Sequence, residues 1–223
     1  VVVQYLKFDK VLKMIELFNE DCMEVMARYP DNHFDLAIVD PPYGIGKFWE
    51  KSLRTKYNHE SKDWNMNAPG KEYFDELMRV SINQIIWGAN YYCHHLPITN
   101  SWIFWDKERD VEKSHMSEGE LAWTSFSMPM RKVKCIWDGA RKGVETGIKI
   151  IHPCQRPVTL HKWILSKYAK PGEKILDTHL GSGSSAIAAH YFGVDFVGCE
   201  IDEDYFKSAE ERIDQATRQE AMF

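Results

Sequence analysis

A strand-length apolar run, Phe34-Asp35-Leu36-Ala37-Ile38-Val39, leads straight into Asp40-Pro41-Pro42-Tyr43-Gly44. A run this short and this apolar reads as a parallel strand buried on both faces. Neither proline has an N–H to extend a ladder, and both hold φ fixed, so the chain must leave the sheet there. Asp40 then stands at the carboxyl end of the strand, where open α/β sheets bind their ligands. The corner offers a carboxylate, rigidly aimed carbonyls and an aromatic face, a set suited to a flat ligand carrying an amino group. A simple Pro-Pro turn is the competing reading of these four residues.

Strand and helix patterns alternate along the rest of the chain. Val11–Phe18 reads as a strand, Asp21 as the cap of a short helix over Cys22–Arg28, and Lys71–Val80 as a helix. Gln84–Gly88 and Trp102–Trp105 read as buried strands, and Glu112–Glu120 as irregular. Leu121–Ser127 and Arg131–Trp137 flank Met128-Pro129-Met130 and predict an antiparallel hairpin. Arg156–Lys170 predicts an amphipathic helix with Pro157 in its first turn, stopped by Pro171-Gly172. Lys174–Asp177 and Asp195–Cys199 predict strands; Ser185–Phe192 and Glu203–Ala216 predict helices. The alternation implies a doubly wound, mostly parallel sheet with an antiparallel hairpin at its edge. Residues 1–223 read as one domain carrying two inserted segments, 44–70 and 107–150. The first holds Phe48, Trp49, Tyr57 and Trp64 without a period and reads as a loop that closes over a substrate.

Composition narrows the function classes. The net charge of −5 argues against a protein that coats nucleic acid, but residues 44–150 carry 16 Lys/Arg against 14 Asp/Glu and the rest 12 against 19. Within the basic stretch Arg131–Lys142, Lys132, Lys134, Arg141 and Lys142 are candidate phosphate contacts, weighed against a merely solvated face. The five cysteines are scattered and lack any Cys-x-x-Cys, which argues for reduced thiols, a cytoplasmic setting and no zinc site. Cys93-His94-His95 is the one cluster of metal-ligand type; adjacent residues point different ways, so no metal is expected. No apolar run reaches membrane-span length, and no signal pattern precedes the first strand.

A second site lies near the end of the chain. Asp177-Thr178-His179-Leu180-Gly181-Ser182-Gly183-Ser184-Ser185-Ala186 reads as strand, glycine turn, helix. Gly181 and Gly183 let the backbone approach a ligand closely. Glu200 follows the next strand, placed to accept hydrogen bonds from ribose hydroxyls. By itself this pattern does not separate a nicotinamide cofactor from S-adenosylmethionine, which share adenosine.

Taken together and in this order, the motifs resemble the beta class of S-adenosylmethionine-dependent DNA amino-methyltransferases, in which the catalytic motif precedes the cofactor loop. Asp40-Pro41-Pro42-Tyr43 matches that family's catalytic motif in full. His152-Pro153-Cys154-Gln155-Arg156-Pro157 is similar to its His-Pro-Thr-Gln-Lys-Pro, with Cys for Thr and Arg for Lys. Asp177–Ser185 resembles Asp-Pro-Phe-x-Gly-Ser-Gly-Thr-Thr, with Thr178-His179 in place of Pro-Phe. Gly198-Cys199-Glu200-Ile201, Tyr205 and Glu20-Asp21-Cys22 extend the match. The resemblance implies a circularly permuted, seven-stranded Rossmann-like α/β sheet. It implies S-adenosylmethionine held by Asp21, Cys22, Asp40, Gln155, Arg156, Asp177, Leu180, Gly181, Ser182, Gly183, Ser184, Glu200 and Ile201.

The implied reaction is methyl transfer to the amino group of an adenine rotated out of double-stranded DNA. Asp40 and the Pro41 carbonyl would grip the amine, Pro42 would hold the turn, and Tyr43 would stack on the base. Asp at the head of this motif resembles the adenine-modifying members more than those acting on cytosine N4, which stay as an alternative. A methyltransferase-like subunit that only binds nucleic acid is a second alternative. Pro153-Cys154-Gln155 imitates the nucleophile of cytosine-C5 enzymes but lies on the wrong side of the glycine loop. A homodimer and a partner restriction endonuclease are compatible with the resemblance; the sequence determines neither.

Overall fold

The structure, a computed structural model, describes residues 14–45, 67–109, 117–137 and 141–218. Most of the 44–70 segment, including all four of its aromatic residues, therefore lies outside the described residues. Eight strands form one sheet: β1 (Ile15–Phe18), β2 (Phe34–Val39), β3 (Ser81–Trp87), β4 (Trp102–Asp106), β5 (Gly119–Thr124), β6 (Arg131–Lys134), β7 (Lys174–Asp177) and β8 (Asp195–Cys199). Their order is β1-β8-β7-β2-β3-β5-β4-β6, and every neighbouring pair is parallel except the two that involve β5. Among the described residues five α-helices accompany them: α1 (Cys22–Met26), α2 (Lys71–Val80), α3 (Val158–Tyr168), α4 (Ser184–Phe192) and α5 (Glu203–Arg218).

Side-chain alternation on β2 sorts the core into two layers. Leu36 and Ile38 pack with Leu160 and Ile164 of α3, Ala186 of α4 and Ile213 of α5. Ala37 and Val39 face the other way, onto Met26 of α1 and Tyr73, Phe74 and Leu77 of α2. A strand covered on both faces has to be apolar where it is covered, which is why Leu36–Val39 lacks polar alternation, while Asp35 near the strand's start accepts from Lys174 N at 2.8 Å. On α2 the buried residues Tyr73, Phe74, Leu77 and Val80 follow helical spacing and form one stripe. Asp21 caps α1, its Oδ1 accepting from Met23 N at 2.8 Å. No helix among the described residues is long and apolar enough to cross a membrane.

The structure corrects four expectations. It has eight strands among the described residues, one more than the resemblance implied. The two segments around Met128-Pro129-Met130 run in opposite directions, but they do not pair with each other. β4 lies between them, antiparallel to β5 and parallel to β6. The physical reason is burial: Ile103 and Trp105 of β4 are almost wholly buried and need a ladder on both sides, whereas β6 exposes Arg131, Lys132 and Lys134 and suits an edge. Glu120, expected in irregular chain, belongs to β5. Finally, Pro157 is the N-cap of α3, not a residue of its first turn. Its missing side-chain cap comes from the remote Glu145, whose Oε1 accepts from Thr159 N and Thr159 Oγ1, both at 2.8 Å.

Chain direction decides where a ligand can sit. β2 and β7 are neighbours, in register Leu36 to Ile175 and Ala37 to Leu176. From β2 the chain crosses to β3 on one side; from β7 it crosses to β8 on the other. The connections diverge beyond the carboxyl ends of these two strands and leave a crevice there. Asp40 and the Gly181–Gly183 turn both stand at its mouth.

Leu77 is fully buried between α2 and the sheet. Leu77→Ala is expected to cost about 2–5 kcal/mol of stability, measured by urea unfolding, with the m-value unchanged.

Candidate active site

Asp40 is held by the residue that the Lys-to-Arg difference concerns. Arg156 Nε donates to Asp40 Oδ2 at 2.8 Å and Nη2 to Oδ1 at 2.7 Å, a two-point fork. The Tyr43 hydroxyl donates to the same Oδ1 at 2.7 Å and accepts from Arg156 Nη2 at 2.7 Å. A carboxylate offers about four acceptor positions. Three of these donors are now counted, and Oδ2 carries only one of them. Asp40 keeps 23% of its side chain exposed while Arg156 keeps 7%, so the acid faces the crevice and the guanidinium lies behind it.

Two further charges lie behind Asp40. Arg156 Nη2 is 2.7 Å from Glu120 Oε2, and Glu120 Oε1 pairs with Lys107. The guanidinium carbon lies 4.5 Å from the Trp87 ring and 5.4 Å from Trp105, cation–π distances on two indoles. Burial opposes the charge of Arg156, and Asp40 and Glu120 outweigh it, so the guanidinium stays protonated. Burial likewise pushes Glu120 upward, but Arg156 and Lys107 prevail and bring its carboxyl down to about 2. Glu120 and Lys107 were not anticipated. An acid inside the otherwise apolar Leu121–Thr124 neighbourhood was the signal available, and it points inward only once the β4–β5 register is known.

Tyr43 owes its seat to Gly88. This residue has φ +66°, and a Cβ there would fall 2.0 Å from the Tyr43 ring, so only glycine fits. The exposed Tyr91 stacks on Tyr43 with ring centroids 5.0 Å apart and planes 17° from parallel. Tyr43, the fourth residue after β2, thus rests on the 3-10 turn Ala89–Tyr91 that follows β3.

Across the crevice, Gly181 and Gly183 have φ of +53° and +73°. A Cβ on Gly183 would lie 2.7 Å from Ile213, so the turn packs directly on α5. Gly183 is the N-cap of α4 and has no side chain to cap it. Glu200 accepts from Gly181 N through Oε2 and from Asp202 N through Oε1, each at 3.0 Å, and is fixed at the end of β8. Ser184 Oγ donates to the Arg156 carbonyl at 2.6 Å, tying the glycine turn to the residue that grips Asp40. The Ser182 carbonyl accepts from Arg212, the Leu180 N–H bonds to Cys199, and Ile201 is exposed beside them.

Not every sequence candidate faces the crevice. Gln155 is buried, and its amide holds its own loop, accepting from Ile151 N and donating to the Lys149 carbonyl. Lys132 pairs with Asp106 at 2.7 Å and Lys134 with Glu108 at 2.8 Å, both on the exposed β6 edge. Arg141 and Lys142 donate to the Glu108 and Ile148 carbonyls. Burial pushes the Cys154 thiol up to about 12 and keeps it protonated, unsuited to a nucleophile. Among the described residues no group of three His, Cys, Asp or Glu is arranged to hold a metal.

Fold and site define an α/β protein with a ligand crevice at the switch point between an acidic Pro-Pro corner and a glycine turn. The DNA methylase family model, of the N6/N4 methyltransferases, matches residues 94–211, just over half of the 223. The chain belongs to that family. It is 28% identical to the Escherichia coli (strain K12) protein YubD, named as a methylase, over 94% of this chain and 93% of that one. Its fold is similar to that of M1.HpyAVI in complex with SAM, with TM-score 0.59 and 19% identity over 90% of this chain and 99% of that one. It is also similar to the cytosine-N4-specific PvuII DNA methyltransferase, with TM-score 0.58 and 12% identity over 92% of each chain.

Asp177 supplies a pH test of this region. It is buried, and despite bonds from Ser185 Oγ and His179 N its carboxyl rises from 3.8 to about 7. A folded-state pKa above the unfolded one means stability fully present below about pH 4 and lost as pH rises to about 7. Asp177→Asn is expected to remove this group's downward contribution between pH 4 and 7, read as a flatter profile of urea-unfolding midpoints than the wild type.

Proposed function

We propose that the chain methylates the N6 amine of adenine in double-stranded DNA, using S-adenosylmethionine. At the coarser level it is an S-adenosylmethionine-dependent DNA methyltransferase of the N6/N4 family. The observation that carries the finer reading is the position of Asp40. It heads an intact Asp-Pro-Pro-Tyr corner, and Arg156 connects that corner to the glycine turn through the Ser184 bond. Asp in this place resembles the adenine-modifying branch.

The residues fit the cofactor's chemistry. The glycine turn and the positive end of α4, which has no side-chain cap, suit its carboxylate. Glu200 suits the ribose hydroxyls, and Asp21 with Cys22 the adenine. When bound, S-adenosylmethionine supplies an electrophilic sulfonium methyl. The chain's own task is to aim an amine at it. An exocyclic amine is a weak nucleophile because its lone pair is delocalised into the ring. The less-occupied Oδ2 of Asp40 accepts one amino N–H, and the Pro41 carbonyl accepts the other. Pro41 and Pro42 fix the direction of the carbonyl, and Arg156 and Tyr43 that of the carboxylate. Gripped this way the nitrogen is drawn toward tetrahedral geometry and its lone pair is aimed out of the ring plane. Tyr43 gives the base an aromatic surface, and such stacking is worth about 1–3 kcal/mol. Three donors already engage the Asp40 carboxylate and fix it for orienting the amine, whose proton leaves to solvent once the methyl is bound. The reaction needs no covalent enzyme intermediate, in keeping with a protonated Cys154.

The test uses labelled S-adenosylmethionine and double-stranded DNA, followed by nucleoside analysis. Label in N6-methyladenine is expected; label in N4-methylcytosine would move the protein to the other branch, and no label with any DNA would leave only a binding role. Asp40→Ala is expected to bind cofactor within about a few-fold of wild type by calorimetry while losing methyl transfer by on the order of 10²–10³-fold.

A further inference from the structure

Arg156 is gripped from a second side. Glu120 reaches its Nη2 at 2.7 Å, and Lys107 pairs with Glu120 and lies 4.5 Å over the Trp105 ring. The four formal charges of Asp40, Glu120, Arg156 and Lys107 cancel. Cancellation alone does not require this geometry, since Arg156 and Asp40 already balance each other. What Glu120 adds is a second anchor. A guanidinium tied only to Asp40 could turn together with it, whereas one also tied to β5 and stacked on Trp87 and Trp105 stays in place. Glu120 lies in β5 and Lys107 directly follows β4, so the anchor ties the antiparallel side of the sheet to the catalytic corner.

We propose that Glu120, held by Lys107, is a positioning residue for methyl transfer: it fixes the Arg156 guanidinium so that Asp40 presents Oδ2 to the target amine. This rests on the role given to Asp40 above. The two variants that test it are Glu120→Gln and the charge-balanced pair Glu120→Gln with Lys107→Met. The first keeps an amide of the same shape but removes the charge that holds Arg156. The second also removes the lysine left without its partner; replacing a buried ion pair with apolar groups is often neutral for stability.

With full-length protein, Glu120→Gln is expected to lower kcat by about 10- to 100-fold, the scale of a small misplacement at a reacting centre. KM for DNA and the calorimetric Kd for S-adenosylmethionine are expected to stay within about two-fold, because neither ligand touches Glu120 on this reading. The double variant is expected to melt near the wild-type temperature and yet keep the low kcat. A Glu120→Gln protein with wild-type kcat overturns the proposal. So does a loss confined to KM, or a double variant whose kcat recovers, since that would make charge balance the whole role. A wild type that transfers no methyl to any DNA would instead fell the reading of Asp40 itself, and this inference with it.

Discussion

The fork between Arg156 and Asp40 is the interaction on which the rest of the site depends. A guanidinium that is 7% exposed has given up its water and must recover that cost from specific partners. Asp40, Glu120 and the phenol of Tyr43 supply acceptors to Nε and Nη2, two indole rings lie within cation–π distance, and Nη1 is buried without a hydrogen-bond partner among the described residues. Removing Asp40 would leave the buried guanidinium short of a counter-charge, and breaking buried pairs in this way costs about 3–5 kcal/mol. A lysine at this position, as in the related motif, would offer a single ammonium and could not span both oxygens of Asp40. The arginine therefore turns a charge contact into a fixed orientation, and orientation is what an amine-directed reaction demands from its acid.

The sheet explains why these groups meet at all. Asp40 and Arg156 are 116 residues apart in the chain. Asp40 ends β2, while Arg156 stands just before α3, two elements that share the β2–β7 switch point through the packing of α3 and α4 on one face. Gly183 allows α4 to begin close against α5, and the Ser184 hydroxyl then reaches back to the Arg156 carbonyl. Gly88 performs the corresponding service on the far side, making room for the Tyr43 ring. Each glycine stands where a side chain would collide and where the backbone turns left-handed.

How much of this was legible in the sequence follows from the range of the interactions concerned. Local signals were faithful. The buried run before Asp40, the stripe on α2, the Asp21 cap and the strand–turn–helix around Gly181 all depend on residues close in sequence, and all stand where the pattern put them. Pairing was less legible. The segments around Met128-Pro129-Met130 looked like a hairpin because they are neighbours in sequence; β4 comes between them because its indole and isoleucine need cover on both edges. The same displacement hid Glu120. Its partner Lys107 lies across the β4–β5 pair, and its contact with Arg156 spans the sheet. The lysines of β6 were visible as a basic run, but their ion pairs with Asp106 and Glu108 depend on that unanticipated register.

Charge placement finally bears on which reactions this crevice can support. Arg156 and Tyr43 already donate to Oδ1 of Asp40, and Arg156 also donates to Oδ2. One acceptor position on Oδ2 is left, and it can take a hydrogen bond from a group that needs aiming. Burial keeps the Cys154 and Cys22 thiols protonated, each pushed up to about 12, so neither is an activated nucleophile. What remains is a reaction driven by geometry between an amine and an electrophile that arrives already activated, and the rigidity of the Pro-Pro corner and the double anchoring of Arg156 are the means by which a small sheet protein can hold that geometry.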